Sequence, residues 1–170
     1  MRALVAAVVG MLVGSMTSLP PALAADLAAP SGPVILVVSG AVANTNAAGQ
    51  ARFDQAMLER IGVTTMATTT PWTEGQMTFD GVLARDLMKA VGATGNEAVA
   101  VALNDYKMNI PFIDLQRPDV LIAFRQNGRA ISVRERGPLW IIYPVEPGTS
   151  IQTMEVRAKM VWQLKELQIR

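Results

Sequence analysis

Apolar positions along this chain recur at two spacings, and the switches between them mark out short strands and amphipathic helices. Residues 33–40, Pro-Val-Ile-Leu-Val-Val-Ser-Gly, form a β-branched apolar run closed by Ser-Gly, the pattern of a buried strand. Residues 44–49 are small and polar and read as loop. Phe53, Met57, Leu58 and Ile61 then recur at helical spacing, with Gly62 where a C-cap glycine belongs. Residues 63–70 are almost all β-branched and predict a strand, and residues 71–81 a loop carrying Trp72, Glu74, Gly75 and Asp80. Leu83, Leu87, Met88 and Val91 outline a second helix closed by Gly92. Residues 98–103 read as a strand entering Asn104-Asp105-Tyr106, and residues 107–110 as an extended stretch up to Pro111. Residues 120–124 and 130–133 read as a hairpin turned by Gln126-Asn127-Gly128, and residues 139–143 as a strand bracketed by Pro138 and Pro144. Two readings stay open at the C-terminus. Val156, Met160, Leu164 and Leu167 fit a helical period, slightly the better match; Val161, Gln163, Leu164 and Ile169 fit a strand with a bulge at Lys165-Glu166. Short strands mixed with two helices, and no internal repeat, give an α+β class: a mixed β-sheet with packed helices.

The first 24 residues follow another pattern. Arg2 precedes an apolar run over residues 4–13, then a helix-stopping Ser-Met-Thr-Ser-Leu-Pro-Pro stretch and Ala22-Leu23-Ala24, an A-x-A cleavage site. The run is about half the ~20 residues a spanning helix needs, so residues 1–24 read as a cleavable signal peptide and the product as periplasmic. Residues 25–32 form a short leader and residues 33–170 one domain. Cleavage removes Arg2 from the 15 basic residues and nothing from the 14 acidic ones, leaving a neutral domain. That balance argues against nucleic acid or an anionic membrane surface as partner. The chain has no cysteine and no histidine. Cysteine and histidine metal sites, Ser-His-Asp and Cys-His nucleophiles and every histidine proton transfer are therefore excluded.

Four clusters depart from a plain core. Thr68-Thr69-Thr70-Pro71-Trp72-Thr73 is either a strand end with a half-buried indole or a rim of hydroxyls beside a stacking platform for a flat ligand. Asn104-Asp105-Tyr106 is either a backbone-capping turn or a recognition edge, since a carboxylate accepts two parallel N–H bonds from an amidine-like ring edge. Arg125, Arg129, Arg134 and Arg136 share one hairpin, where they could grip an anionic tail or be neutralised by Glu135 and Asp119. Met108, Met154 and Met160 read as core filler.

Taken in order, Thr68-Thr-Thr-Pro-Trp-Thr, Phe79-Asp-Gly, Leu87 with Val91-Gly-Ala, Ala102-Leu-Asn-Asp-Tyr, Ile110-Pro, Ser132-Val-Arg-Glu-Arg-Gly-Pro-Leu-Trp, Tyr143-Pro and Val161-Trp-Gln-Leu resemble the sulfite-oxidase-type molybdopterin-binding domain. The chain is most similar to a cysteine-free periplasmic branch of that fold, whose members bind pterins and regulate a membrane partner. The resemblance covers residues 33–169. It implies a sulfite-oxidase-like α+β fold, a C-terminal strand at Val161-Trp-Gln-Leu, and a cleft lined by the Thr-Pro-Trp loop, the Asn-Asp-Tyr segment and the Arg-Gly-Pro-Leu-Trp turn. Catalytic members ligate molybdenum through a cysteine thiolate at a position that falls here within Thr68 to Thr70. A threonine hydroxyl is a poor substitute, so a bound molybdenum cofactor is not expected.

The expectation is a non-catalytic pterin binder. Trp72 and Tyr106 stack, Asn104 and Asp105 pair with the ring edge, Arg134 holds a polar substituent, Thr68 and Thr70 rim the site, and Trp140 lines the cleft or fills core. The resemblance also implies a protein partner, the periplasmic part of an inner-membrane signalling protein that sets cyclic-di-GMP. Two alternatives remain: a molybdopterin-dependent oxidoreductase that tolerates loss of the thiolate, and an interaction protein that binds no small molecule.

Overall fold

The computed structural model describes residues 27–144 and 153–170. The expected signal peptide lies outside the described residues. The chain opens with strands β1 (Leu36–Gly40) and β2 (Gln50–Phe53), helix α1 (Gln55–Ile61), strands β3 (Thr64–Thr68) and β4 (Met77–Leu83), and helix α2 (Ala84–Ala90). Then come β5 (Glu97–Ala102), β6 (Lys107–Pro111), the short α3 (Phe112–Leu115), β7 (Leu121–Gln126) and β8 (Arg129–Ala130). A 3-10 turn (Val133–Glu135), β9 (Trp140–Ile142), α4 (Met154–Lys159) and β10 (Leu164–Ile169) complete the order.

Two five-stranded sheets share one apolar core. The first runs β2-β1-β10-β5-β6, with β10 parallel to β1 and antiparallel to β5. Leu167 lies opposite Val38 on one side and Ala100 on the other, all buried. Burial of one such leucine contributes roughly 1.5–3 kcal/mol. The second sheet runs β3-β4-β7-β8, with β9 also pairing β7. Leu121, Ile122, Ala123 and Phe124 are all buried, so β7 is covered on both faces. β4 bulges between Asp80 and Gly81, and a Cβ at Gly81 would strike the carbonyl of Ile122 on β7. Only glycine allows that approach.

Local chemistry sets the helix ends. Asp54 caps α1: its Oδ1 accepts from the Met57 N–H at 2.8 Å. Its Oδ2 accepts from the Ser31 and Gly32 N–H groups at 2.7 and 2.8 Å, tying the leader to the helix. These donors, Met57 and Gly32 first, hold its pKa down to about 2 from an ordinary 3.8. Gly62 ends α1, and Gly92, at φ 59°, takes the left-handed position after α2. α4 is anchored by Lys159, whose ammonium lies 2.7 Å from Asp114 of α3, with both side chains nearly buried. Tyr143 Oη donates to the same carboxylate at 3.2 Å. Burial alone would lower the Lys159 pKa, but the Asp114 and Glu155 bonds outweigh it and raise it. Burial, and then Asp114, pushes the Tyr143 phenol up.

Six expectations are corrected. Residues 77–81 are strand, because Phe79 packs into the core while Asp80 faces out to accept from Thr65 Oγ1 at 2.7 Å. Only Trp72, Glu74 and Gly75 of that group stay in the turn. Phe53 ends β2, a strand not expected from its polar neighbours, and does not begin α1. The hairpin return is only Arg129–Ala130, after which Ser132 accepts two backbone bonds and winds the chain into the 3-10 turn. Helices number four rather than two among the described residues. The C-terminal period divides into α4 and then β10. β10 carries the expected bulge, a register shift between Leu164 and Glu166 that puts Leu164 and Leu167 on one face at a helix-like spacing of three. Met160 is buried, but Met154 is 84% exposed and fills no core.

Two stability outcomes follow from these anchors. Asp54 has a depressed folded pKa, so its share of stability is full above an unfolded value near 3.8 and is lost as pH falls toward about 2. Thermal melts should decline across that window, and Asp54→Asn should lack that portion of the decline. Lys159→Met should lower the unfolding free energy by about 3 kcal/mol in urea titrations, because it strands the Asp114 carboxylate. Lys159→Met with Asp114→Leu should recover most of the loss, and a single-variant cost under about 1 kcal/mol would dismiss the anchor.

Candidate functional site

At the end of the first sheet where β5 turns into β6, the loop after β3 and the chain from α4 to β10 come together around a cavity of about 350 Å³. Trp72, Tyr106 and Trp162 form its aromatic walls, Ala102 and Met160 supply aliphatic surface, and Asn104 and Arg157 add polar groups. The volume lies at the lower end of the range for small-molecule sites, about 300–1,000 Å³. Larger depressions lie elsewhere among the described residues, among them an open one of about 440 Å³ lined by Ser31, Pro33, Asp54 and Glu59. Another, of about 520 Å³, is an open groove across β1, β2 and β10. A third, of about 650 Å³, shares Trp72 with the cavity and is lined by Arg129, Arg136, Glu74 and Glu135. Of these, only the cavity of about 350 Å³ is walled by several aromatic rings, which is the chemistry a flat ligand needs.

The walls are fixed from behind. Trp72 meets Trp162 edge-on at 5.0 Å between ring centroids and Trp140 at 6.0 Å, and Trp140 meets Phe79 at 5.6 Å. Trp140 and Phe79 are fully buried, and the Trp140 indole N–H donates to the Met160 carbonyl at 3.2 Å. Aromatic edge contacts of this kind add about 0.5–1.5 kcal/mol beyond burial. The Arg136 guanidinium lies 5.6 Å from the Trp140 ring and 5.7 Å from that of Trp162. Arg136 takes a left-handed backbone at φ 81°, followed by a cis Gly137-Pro138 bond.

Of the residues singled out in the sequence, Trp72, Asn104 and Tyr106 line the cavity together. Thr68 and Thr70 are buried and do not line it. Thr70 Oγ1 lies 3.1 Å from Thr73 Oγ1 and accepts from the Trp72 N–H at 3.3 Å, so it shapes the loop. Trp140 fills core behind Trp72. Asn104 Oδ1 accepts from the Tyr106 N–H at 3.2 Å, and Asp105 is left-handed at φ 63°, which makes this segment a capped turn. Asp105 points away and pairs with Lys165 at 2.6 Å, a contact that lowers its pKa. Its carboxylate is 81% exposed, so the pair adds little to stability.

The four arginines of the hairpin do not act as one group. Arg125 pairs with Glu59, Arg129 and Arg136 border the polar depression, and Arg134 is exposed and lines neither cavity. The acids proposed to neutralise them are engaged elsewhere: Asp119 binds Arg117 through two bonds of 2.9 Å, and Glu135 accepts from Ser132 Oγ. Trp162 and Arg157 line the cavity and were not expected as site residues, whereas Arg136, expected in the arginine group, lies against the Trp140 and Trp162 rings instead. Trp162 stands inside the Val161-Trp-Gln-Leu motif, where a lone tryptophan beside an ambiguous strand was the available signal.

Thiolate ligation of molybdenum has no donor here. The chain holds no cysteine or histidine, and the Thr70 hydroxyl is committed to its own loop. Among the described residues no three carboxylates are grouped to hold a metal ion.

The comparisons with known proteins agree with the fold. No match was found among curated proteins. The crystal structure of the sulfane dehydrogenase SoxCD from Paracoccus pantotrophus resembles this chain with a TM-score of 0.58 and 22% identity. That likeness covers 79% of this chain and 37% of the SoxCD chain, so the present chain spans little more than a third of that protein's length. It shows a shared fold, the sulfite-oxidase-like α+β arrangement expected from the sequence. Residues 33–165 match the family described as the oxidoreductase molybdopterin binding domain, and the chain belongs to that family.

Proposed function

We propose that this member of the family is a pterin-binding protein that does no redox chemistry. The observation that carries the reading is the cavity walled by Trp72, Tyr106 and Trp162, beside a Thr68–Thr70 stretch that offers no thiolate. A pterin is flat, and its pyrimidine edge presents adjacent donors and acceptors. Stacking on an aromatic wall contributes about 1–3 kcal/mol per ring. The Asn104 side-chain amide nitrogen is available to the ring edge, its oxygen being used by the Tyr106 N–H. Asp105 reaches the ring only by leaving Lys165, so Asn104 takes the principal polar role. Thr68 and Thr70 hold the rim, Trp140 sets the pitch of Trp72, and Arg134 meets only a substituent that projects to solvent.

Export by the N-terminal segment and control of an inner-membrane cyclic-di-GMP protein belong to the same proposal. They rest on the Arg2 to Ala24 pattern and on the resemblance to the cysteine-free branch. A domain that binds a pterin without turning it over needs a partner to report the bound state, and regulation of a membrane protein supplies that use.

Titration with a dimethyl-tetrahydropterin tests the reading. The tryptophan emission should be quenched to saturation, and Trp72→Ala should weaken binding by roughly 10–100-fold. No quenching up to about 1 mM pterin, or unchanged affinity in Trp72→Ala, would reject the site. Stoichiometric molybdenum in protein expressed with molybdate would instead favour the oxidoreductase alternative.

A further inference from the structure

Apolar side chains left at the surface matter when they gather in one place, because a contiguous patch marks a contact surface. Among the described residues seven large apolar side chains are markedly exposed, and three of them, Val34, Leu103 and Val133, line the open groove of about 520 Å³ across β1, β2 and β10. They come from the approach to β1, the β5–β6 turn and the 3-10 turn, segments far apart in sequence, and Pro138 joins them. Their exposure is built in by one residue. Gln163, left-handed at φ 52°, accepts from the Leu103 N–H through its carbonyl at 2.8 Å and donates from its side-chain amide to the Val133 carbonyl at 2.8 Å. Its own N–H donates to the Arg136 carbonyl at 2.9 Å, which fixes the turn leading to Pro138. Leu103 and Val133 are thereby held in place while remaining 44% and 50% exposed. An apolar group fixed in this way has already lost the freedom that a new contact would otherwise cost.

The groove is ordered in charge as well. Arg52, Val37 and Glu166 stand side by side on β2, β1 and β10. Arg52 is exposed, and its guanidinium bonds the neutral Gln50 amide oxygen at 3.0 and 3.1 Å, with no carboxylate partner among the described residues. Glu166 is occupied by Ser39 Oγ, which donates to it at 2.9 Å. Lys165, nearer the apolar end, is already neutralised by Asp105 at 2.6 Å. Crossing the strands from β2, a visiting chain therefore meets a free cation, then a satisfied acid, then an apolar corner. The groove also stands back to back with the cavity. Leu103 lies between the cavity residues Ala102 and Asn104, and Gln163 follows the cavity residue Trp162.

We propose that this groove docks an extended segment of a partner protein, one that carries a carboxylate at one end and aliphatic side chains at the other. The carboxylate pairs with the two free N–H edges that a guanidinium offers at Arg52. The middle of the segment passes over Val37 and Glu166 and is uncharged, since a second acid there would face Glu166. The aliphatic end fills the corner between Leu103, Val133 and Pro138. From β2 to the line of β5 is three strand spacings, about 14 Å, so roughly four extended residues separate the acid from the aliphatic anchor. A partner seated here touches the two segments that wall the cavity without entering it. The docking itself does not depend on what the cavity binds.

Selection of a displayed library of random peptides on the full chain tests it. Enriched peptides should combine an acid with aliphatic residues roughly four positions away. Fluorescence anisotropy of a selected peptide should show affinity falling roughly tenfold or more in Arg52→Glu and in Leu103→Ser, with the melting temperature unchanged. Repeating the selection on Arg52→Glu should replace the acid with lysine or arginine. No enrichment, enriched peptides without an acid, or equal affinity for Arg52→Glu would each overturn the proposal. Self-association of the chain that Arg52→Glu abolishes would assign the groove to a second copy and overturn it as well. A wild type that binds the selected peptide while its tryptophan emission ignores pterin would uphold the groove and fail the ligand reading alone.

Discussion

The fold depends on the insertion of β10 between β1 and β5. Its parallel pairing with β1 brings Leu167 beside Val38 and lets Ser39 Oγ donate to Glu166 across 127 residues of chain. Its antiparallel pairing with β5 sets the alanines at 98, 100 and 102 against Ile169, Leu167 and Leu164. Small residues on β5 leave room for the larger ones on β10, and the two strands interlock at a density neither reaches alone. Without β10 the first sheet would be two separate hairpins, each too small to hold together in water.

The cavity inherits its geometry from the same insertion. The chain leaving α4 has to pass along the edge of β9 to reach the gap between β1 and β5, and in doing so it lays Val161 and Trp162 beside Trp140. Trp162 thereby becomes the wall that Trp72 meets edge-on. α4 is held from the other side by Lys159 on Asp114, so the helix is positioned by a nearly buried ion pair rather than by a broad apolar face. The two rings and the helix belong to segments about ninety residues apart, yet each is fixed by contacts that are themselves buried. This is why a site of mostly apolar surface keeps a defined shape.

What could be read in advance was whatever local chemistry decides. β1 and β5 are apolar runs, Gly62 and Gly92 stop their helices for reasons of backbone conformation, and Asn127-Gly128 turns a hairpin by itself. β4 was illegible because Thr78, Asp80 and Gly81 look like a turn. The polar pair faces out and the glycine admits a neighbouring strand, reasons that exist only once β7 lies beside it. β10 was ambiguous because its bulge reproduces a helical spacing. In the candidate site, Trp72, Asn104 and Tyr106 stood out as polar or aromatic side chains in loops. Trp162 did not, since its neighbours arrive only through pairing made at the far end of the chain.

The central position of β10 also governs the order in which the protein can come into being. Synthesis presents the N-terminal part first. Until residues 164–169 arrive, β1 and β5 flank an empty slot, each with an open row of backbone groups facing it. Half-made chains are thus adhesive for most of their production and acquire their closing strand last.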